Sequence, residues 1–138
     1  DIGARAMADA LSVNETITDL DLSNNLMSDD GAKAIAEALK DNKTITNLDL
    51  STNQIADIGA KAIAEVLKTT NKTITNIDLS NNQISIQATS KIIQAMKQTK
   101  TTTINRIKLT NDTVFNWGEM GVSEQRTAWW DNMHLGEL

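Results

Sequence analysis

Hydrophobic residues in this chain follow two alternating rhythms. From Thr16 to Met27, Ile17, Leu20, Leu22, Asn25 and Met27 give the pattern I-x-x-L-x-L-x-x-N-x-M, and Asp19 to Leu22 alternates strictly. Such alternation predicts a short strand with one buried face. The next segment carries Ile35, Ala36 and Leu39, and its later counterpart Ile63, Ala64 and Leu67. That is helical spacing on an alanine-rich stretch, and alanine is the best helix former. Asp1, Asp29 and Asp57 sit at expected N-cap positions, where a side-chain oxygen can take a free backbone N–H. Lys40 and Lys68 close the expected helices at the end the macrodipole favours for a cation. Lys33 with Glu37 and Lys61 with Glu65 are i,i+4 pairs in the weaker orientation.

The paired rhythm recurs. TITDLDLSNNLMSDDGAKAIAEALKDNK begins at Thr16, TITNLDLSTNQIADIGAKAIAEVLKTTNK at Thr44, TITNIDLSNNQISIQATSKIIQAMKQTKT at Thr73 and TINRIKLTNDTVFNW at Thr103. Leu22, Leu50, Leu79 and Leu109 mark one phase, at intervals of 28, 29 and 30 residues. Asp1 to Leu11 matches Asp29 to Leu39, so the chain opens on a half unit, residues 1–15. This organisation resembles the leucine-rich repeat, and its unit length with a full helix resembles the ribonuclease-inhibitor-like subclass. That subclass includes ribonuclease inhibitor, the sensor regions of NOD-like receptors and Ran GTPase-activating proteins.

The resemblance covers residues 1–114 and implies an α/β solenoid, a curved right-handed superhelix. Its curvature has a simple cause. Parallel strands stack ~4.8 Å apart and packed helices ~8–10 Å apart, so strands line the concave side and helices the convex side. No unit buries its apolar face alone, so neighbours complete each other's core. Asn25, Asn53 and Asn82 fall at the turn after each strand, where the family carries a ladder of Asn (or Cys). An amide both donates and accepts, so it can serve the backbone of two adjacent turns. Asp112 takes that position in the last unit, and an ionised carboxylate cannot donate, so the ladder is expected to end there.

The chain has 138 residues, enough for one domain with a core. A net charge of -5 and a pI near 4.8 speak against nonspecific binding to nucleic acid or to an anionic membrane. There is no Cys, which excludes a disulfide scaffold, a thiolate metal site and a cysteine nucleophile. The lone His134 offers no histidine cluster, and no serine has a plausible His-and-acid arrangement. Gly3, Gly31 and Gly59 are repeat-phased and mark helix entries rather than a phosphate-cradling loop. No enzyme activity, cofactor or metal is therefore expected. The longest apolar run is far below the ~20 residues of a membrane span. The chain starts at Asp1 without Met, and a fragment or processed product is expected. N-x-T occurs at Asn14, Asn42, Asn71 and Asn111. The first three share one repeat position and mark the helix-to-strand loop whether or not glycans attach. A cysteine-free chain fits a reducing compartment, so a cytoplasmic or intracellular setting is expected, with a secreted effector as the alternative.

The strongest functional feature is the outward strand row. One column reads Asp21, Asp49, Asp78, Lys108, the next Asp19, Asn47, Asn76, Arg106, and a third Ser23, Ser51, Ser80, Thr110. Like charges ~5 Å apart cost some stability. The row is either a soluble consensus face or an acidic strip that accepts a basic patch of a protein, with Arg106 and Lys108 setting polarity. All four aromatics, Phe115, Trp117, Trp129 and Trp130, lie late in the chain. They suit a helical cap over residues 115–138, with Ser123 opening a helix to Met133, although an aromatic hot spot for a partner is the alternative. The expected function is a non-enzymatic protein-interaction module. A self-assembling fragment pairing through its N-terminal edge is the alternative, and regulation of a GTPase a remoter one.

Overall fold

The structure, a computed structural model, describes residues 1–99, 103–110 and 114–116, the last three by their backbone alone. Helices and strands alternate: α1 (Ile2–Val13), β1 (Asp19–Asp21), α2 (Asp29–Asp41), β2 (Asn47–Asp49), α3 (Asp57–Thr69), β3 (Asn76–Asp78), α4 (Ile86–Gln98) and β4 (Arg106–Lys108), followed by β5 (Val114–Asn116). The sheet order is β1-β2-β3-β4-β5. The first four strands are parallel, with Leu20, Leu48, Ile77 and Ile107 in one row. This is the leucine-rich-repeat α/β solenoid that the resemblance implies.

Each unit buries the same positions. Ile45, Leu48 and Leu50 of one strand segment, and Ile74, Ile77 and Leu79 of the next, are buried between sheet and helices. Ile35 and Leu39 of α2 and Ile63 and Leu67 of α3 close over them. The first unit is less covered: Ile17, Leu20 and Leu22 are only partly buried. Its strand β1 is paired on one side, and Asp19 and Asp21 stand along that edge. Charged residues on an edge strand discourage pairing with another edge.

The helix entries differ from expectation. Asp29 and Asp57 are the first helical residues, and the N-caps are Ser28 and Ala56. Asp1 is an N-cap, but its side chain makes no cap bond within its own helix. Each of these carboxylates serves the next unit instead. Asp1 accepts from the Ser28 backbone N–H at 2.9 Å and from its hydroxyl. Asp29 accepts from the N–H groups of Ala56 (2.8 Å) and Gly59 (2.9 Å). Asp57 accepts from the Ser85 N–H and hydroxyl, both at 2.7 Å. A carboxylate beside a helix N-terminus also gains from the macrodipole. In α4 the equivalent first position is Ile86. No helix follows β4 among the described residues; instead β5 lies antiparallel on it, Phe115 opposite Ile107. The expected i,i+4 pairs are replaced by i,i+3 pairs, Lys33–Asp30, Lys40–Glu37 and Lys68–Glu65.

These carboxylates give stability a defined pH dependence. Asp57 is held below the usual carboxylate range by the Ser85 N–H and then its hydroxyl, with Lys61 and Lys91 adding attraction. Asp19 is lowered by the hydroxyl of Thr18 and the amide of Asn47, and Asp21 by the hydroxyl and N–H of Ser23. A folded-state pKa below the unfolded value gives stability that is complete above the unfolded pKa, about 3.9. It is lost as pH falls through the lower folded values. Urea midpoints are expected to stay flat from neutral pH to about 5 and to fall below about 4. A midpoint that rises on acidification would contradict this assignment.

The Asn residues of the N-x-T triplets at Asn42 and Asn71 are structural. Asn42 and Asn71 are 2% and 1% exposed. The Asn42 Nδ2 donates to the Leu11 and Asn14 carbonyls of the preceding unit, at 3.0 and 3.2 Å. Its Oδ1 accepts from Thr44 and Ile45 N–H in its own loop. Asn71 repeats the pattern onto Leu39, Asn42, Thr73 and Ile74. Asn14 accepts from Thr16 and Ile17 N–H but is not buried. The triplet at Asn111 lies outside the described residues.

One buried group departs from this economy. Thr89 is 3% exposed and its hydroxyl has no hydrogen-bond partner. The equivalent residues of α2 and α3 are Ala32 and Ala60, both fully buried. Removing an unsatisfied buried hydroxyl relieves its desolvation cost. Thr89→Ala is expected to raise the unfolding free energy by about 1 kcal/mol. Chemical denaturation checks this, and an unchanged or lowered midpoint would refute it.

Candidate functional site

The site is the open face of the sheet. Strand alternation sends Leu20, Leu48, Ile77 and Ile107 inward and their flanking residues outward. The outward row comprises Asp19, Asp21, Asn47, Asp49, Asn76, Asp78, Arg106 and Lys108, which line one open groove. All eight residues named from the sequence are therefore brought together. Ser80, from the third column, is 2% exposed and does not belong to this face. The strands end at Asp21, Asp49 and Asp78, so the alternation stops before the serine.

Two sets of hydrogen bonds order the face. In the column that begins at Asp19, Asn76 Nδ2 donates to Asn47 Oδ1 at 2.6 Å, and Asn47 Nδ2 donates to Asp19 Oδ1. The Thr18 hydroxyl donates to the other Asp19 oxygen at 2.8 Å. The column is thus a run of amides ending on a carboxylate. In the column that begins at Asp21, Asp21, Asp49 and Asp78 each accept the N–H of the serine two residues on, at 2.9, 2.8 and 2.8 Å. The Ser80 hydroxyl adds a bond to Asp78 at 2.6 Å. These turns fix the aspartates at the strand ends. Lys108 Nζ lies 3.8 Å from Asp78 Oδ2, with both side chains about a third exposed. Charge along the face therefore runs from Asp19, Asp21 and Asp49 at one edge to Arg106 and Lys108 at the other.

Asn53 and Asn82 tie the turns beneath this face. Asn53 Nδ2 donates to the Leu22, Leu50 and Ser51 carbonyls, and its Oδ1 accepts from the Asn25 and Met27 N–H groups. Asn82 donates to Leu50, Leu79 and Ser80 and accepts from Ile55. Asn25 donates only within its own turn, to Leu22 and Ser23. The turns also hold Asn24, Thr52 and Asn81 at φ of 58°, 54° and 54°. That left-handed conformation suits Asn better than the β-branched Thr52.

Among the described residues no group of His, Cys, Asp or Glu is arranged to hold a metal ion. No described helix is long and apolar enough to cross a membrane. Of the expected cap, Phe115 lies on β5. Trp117, Trp129, Trp130 and the helix expected from Ser123 lie outside the described residues.

A leucine-rich-repeat family model matches residues 13–36 and 41–64. Among solved structures, the chain is similar to leiomodin-1 actin-binding site 2, with a TM-score of 0.71 and 23% identity. That likeness covers 99% of this chain and 79% of the other. It is also similar to the tropomodulin C-terminal domain of Caenorhabditis elegans, with a TM-score of 0.61, 11% identity and 97% of each chain covered. At these identities the likeness establishes the fold. No curated protein sequence matches the chain.

Proposed function

We propose that the protein is a non-enzymatic interaction module that receives a protein partner on its open strand face. The observation that carries this reading is the ordered polar row from Asp19 to Asp78, whose side chains are hydrogen-bonded to neighbours before any partner arrives. Side chains already fixed lose less freedom on binding. The acid-to-base gradient fits a partner that brings a basic patch to β1 and β2. Units of 28 to 30 residues with helices of 13 residues suit the ribonuclease-inhibitor-like subclass. A setting inside the cell fits the cysteine-free chain.

Capture of partners on the immobilised full chain tests the reading. Asp49→Lys combined with Asp78→Lys is expected to abolish capture of a basic partner; it also removes the acceptors of the Ser51 and Ser80 N–H groups and lowers the melting temperature, so capture is compared well below the variant's own unfolding transition. Added salt should weaken the parent complex as well. A partner whose binding ignores both changes must use another surface. The likeness to leiomodin-1 actin-binding site 2 favours a second reading, in which the partner is actin. Co-sedimentation with filamentous actin, and polymerisation assays with monomeric actin, would decide that case.

A further inference from the structure

The helical side of the molecule carries two grooves of opposite charge. Between α1 and α2, Asp9, Glu37 and Asp41 face Arg5 over a floor that includes Ala8 and Ala38. Between α3 and α4, Lys61, Lys68 and Lys91 face Glu65 over Ala64 and Ile92. Within each groove one acid is already paired along its own helix, Glu37 with Lys40 at 2.6 Å and Glu65 with Lys68 at 3.2 Å. Asp9 and Asp41 form no ion pair among the described residues, and Lys61 and Lys91 lend attraction to Asp57 without closing an ion pair with it.

The contrast arises from how the units diverge while their cores stay alike. Lys91 stands where α2 and α3 have Ala34 and Ala62. Gln94 replaces Glu37 and Glu65, and Thr69 and Gln98 replace Asp41. Acid is lost and base gained from the first helix pair to the second, and Lys91 takes the place of alanines that are only partly buried against the core.

We infer that these grooves form an interface between two copies of the chain, packed helix side to helix side about a twofold axis parallel to the helices. Such an axis lays the α1–α2 groove of one copy over the α3–α4 groove of the other, and the reverse contact follows by symmetry. Height along the helices is preserved by this operation. Asp41 and Lys68 both sit in the last turn of their helices. Asp9 and Glu37 lie within about one turn of Lys61 and Lys91. The alanines on the groove floors allow close approach at little cost in side-chain entropy. A net charge of -5 opposes approach of two copies in general, and the complementary grooves offset that repulsion in this orientation. The arrangement leaves both strand faces open, and the dimer presents two partner-binding surfaces.

Sedimentation of the full chain across concentration, at low and raised salt, reads the interface. Concentration-dependent dimerisation that weakens with salt is expected. Lys61→Glu with Lys91→Glu makes both grooves acidic, and Asp9→Lys with Asp41→Lys makes both basic. Each double variant alone is expected to raise the dimer dissociation constant about tenfold or more. An equimolar mixture of the two should recover association, because each contact is again between opposite charges. Recovery cannot come from misfolded chains, so the mixture guards against a trivial loss. A parent that stays monomeric at high concentration and low salt would overturn the inference. So would variants that dimerise as well as the parent, or a mixture that recovers nothing.

Discussion

Replacing Asn53 with Leu is expected to lower the unfolding free energy by at least about 3 kcal/mol. The amide serves five backbone groups: the carbonyls of Leu22, Leu50 and Ser51, and the N–H groups of Asn25 and Met27. Asn53 is 7% exposed, so water cannot simply take its place. A buried backbone group left without a partner costs about 1–3 kcal/mol, and several are orphaned together. The melting temperature should fall by roughly 10 °C in a chain of this length. Asn25→Leu is the internal control. It has the same chemistry at the same repeat position, but its amide serves only two carbonyls of its own exposed turn. Its cost should be a small fraction of that at Asn53. Equal melting temperatures for the Asn53 variant and the parent would refute the account.

Gly59→Ala is expected to cost about 2–3 kcal/mol, although alanine is the better helix former by about 1 kcal/mol. An added Cβ would lie 2.6 Å from Asp29 Oδ1 and 2.9 Å from both Ala32 Cβ and Ile55 Cγ2. The same carboxylate oxygen accepts the Gly59 N–H at 2.9 Å. The clash therefore falls on the hydrogen bond that joins α2 to α3. Gly3 holds the same repeat position in α1, and nothing lies within 4 Å of its missing Cβ. Gly3→Ala should stabilise the chain by about 0.5–1 kcal/mol, as helix propensity alone dictates. Opposite signs for one substitution at two equivalent sites separate close approach from propensity. Stabilisation at both sites in a denaturation series would show that propensity decides both, and destabilisation at both would refute the account of Gly3. Ala88 occupies this position in α4, where Asp57 bonds to Ser85 and leaves residue 88 alone.

The repeat made most of the fold legible. A phase shared by Leu22, Leu50, Leu79 and Leu109 locates strands, helices and core at once, because each unit repeats the same burial. What it cannot locate is a side chain's partner in the neighbouring unit. Asp29 and Asp57 look like caps because capping residues and first-turn acids differ by a single position. Only the register of α3 against α2 shows that their oxygens reach forward to the next helix. Ala56 as an N-cap follows from no propensity; the carboxylate of Asp29 serves its N–H from outside. The outward strand row was legible, because a period of two fixes which residues share a face. Its internal bonding was not, since Asp19, Asn47 and Asn76 become one run only when strands pair in register. The second line of asparagines, Asn42 and Asn71, had a usable signal. Both recur at one phase of the repeat, as buried structural residues do. Strand β5 carries no such phase, and alternation in Val114 to Asn116 is too short to announce it.

Asn42 and Asn71 also bear on the route by which the chain is made. Each heads an acceptor triplet that a eukaryotic oligosaccharyltransferase would recognise during translocation, while the polypeptide is still extended. Sugar transfer forms a bond to Nδ2, the same atom that later donates to two carbonyls of the preceding unit. A glycan there has no room in a site 1–2% exposed. Production in a secreting eukaryotic host therefore sets two processes in competition for the same two nitrogen atoms. A bacterial cytosol imposes no such competition.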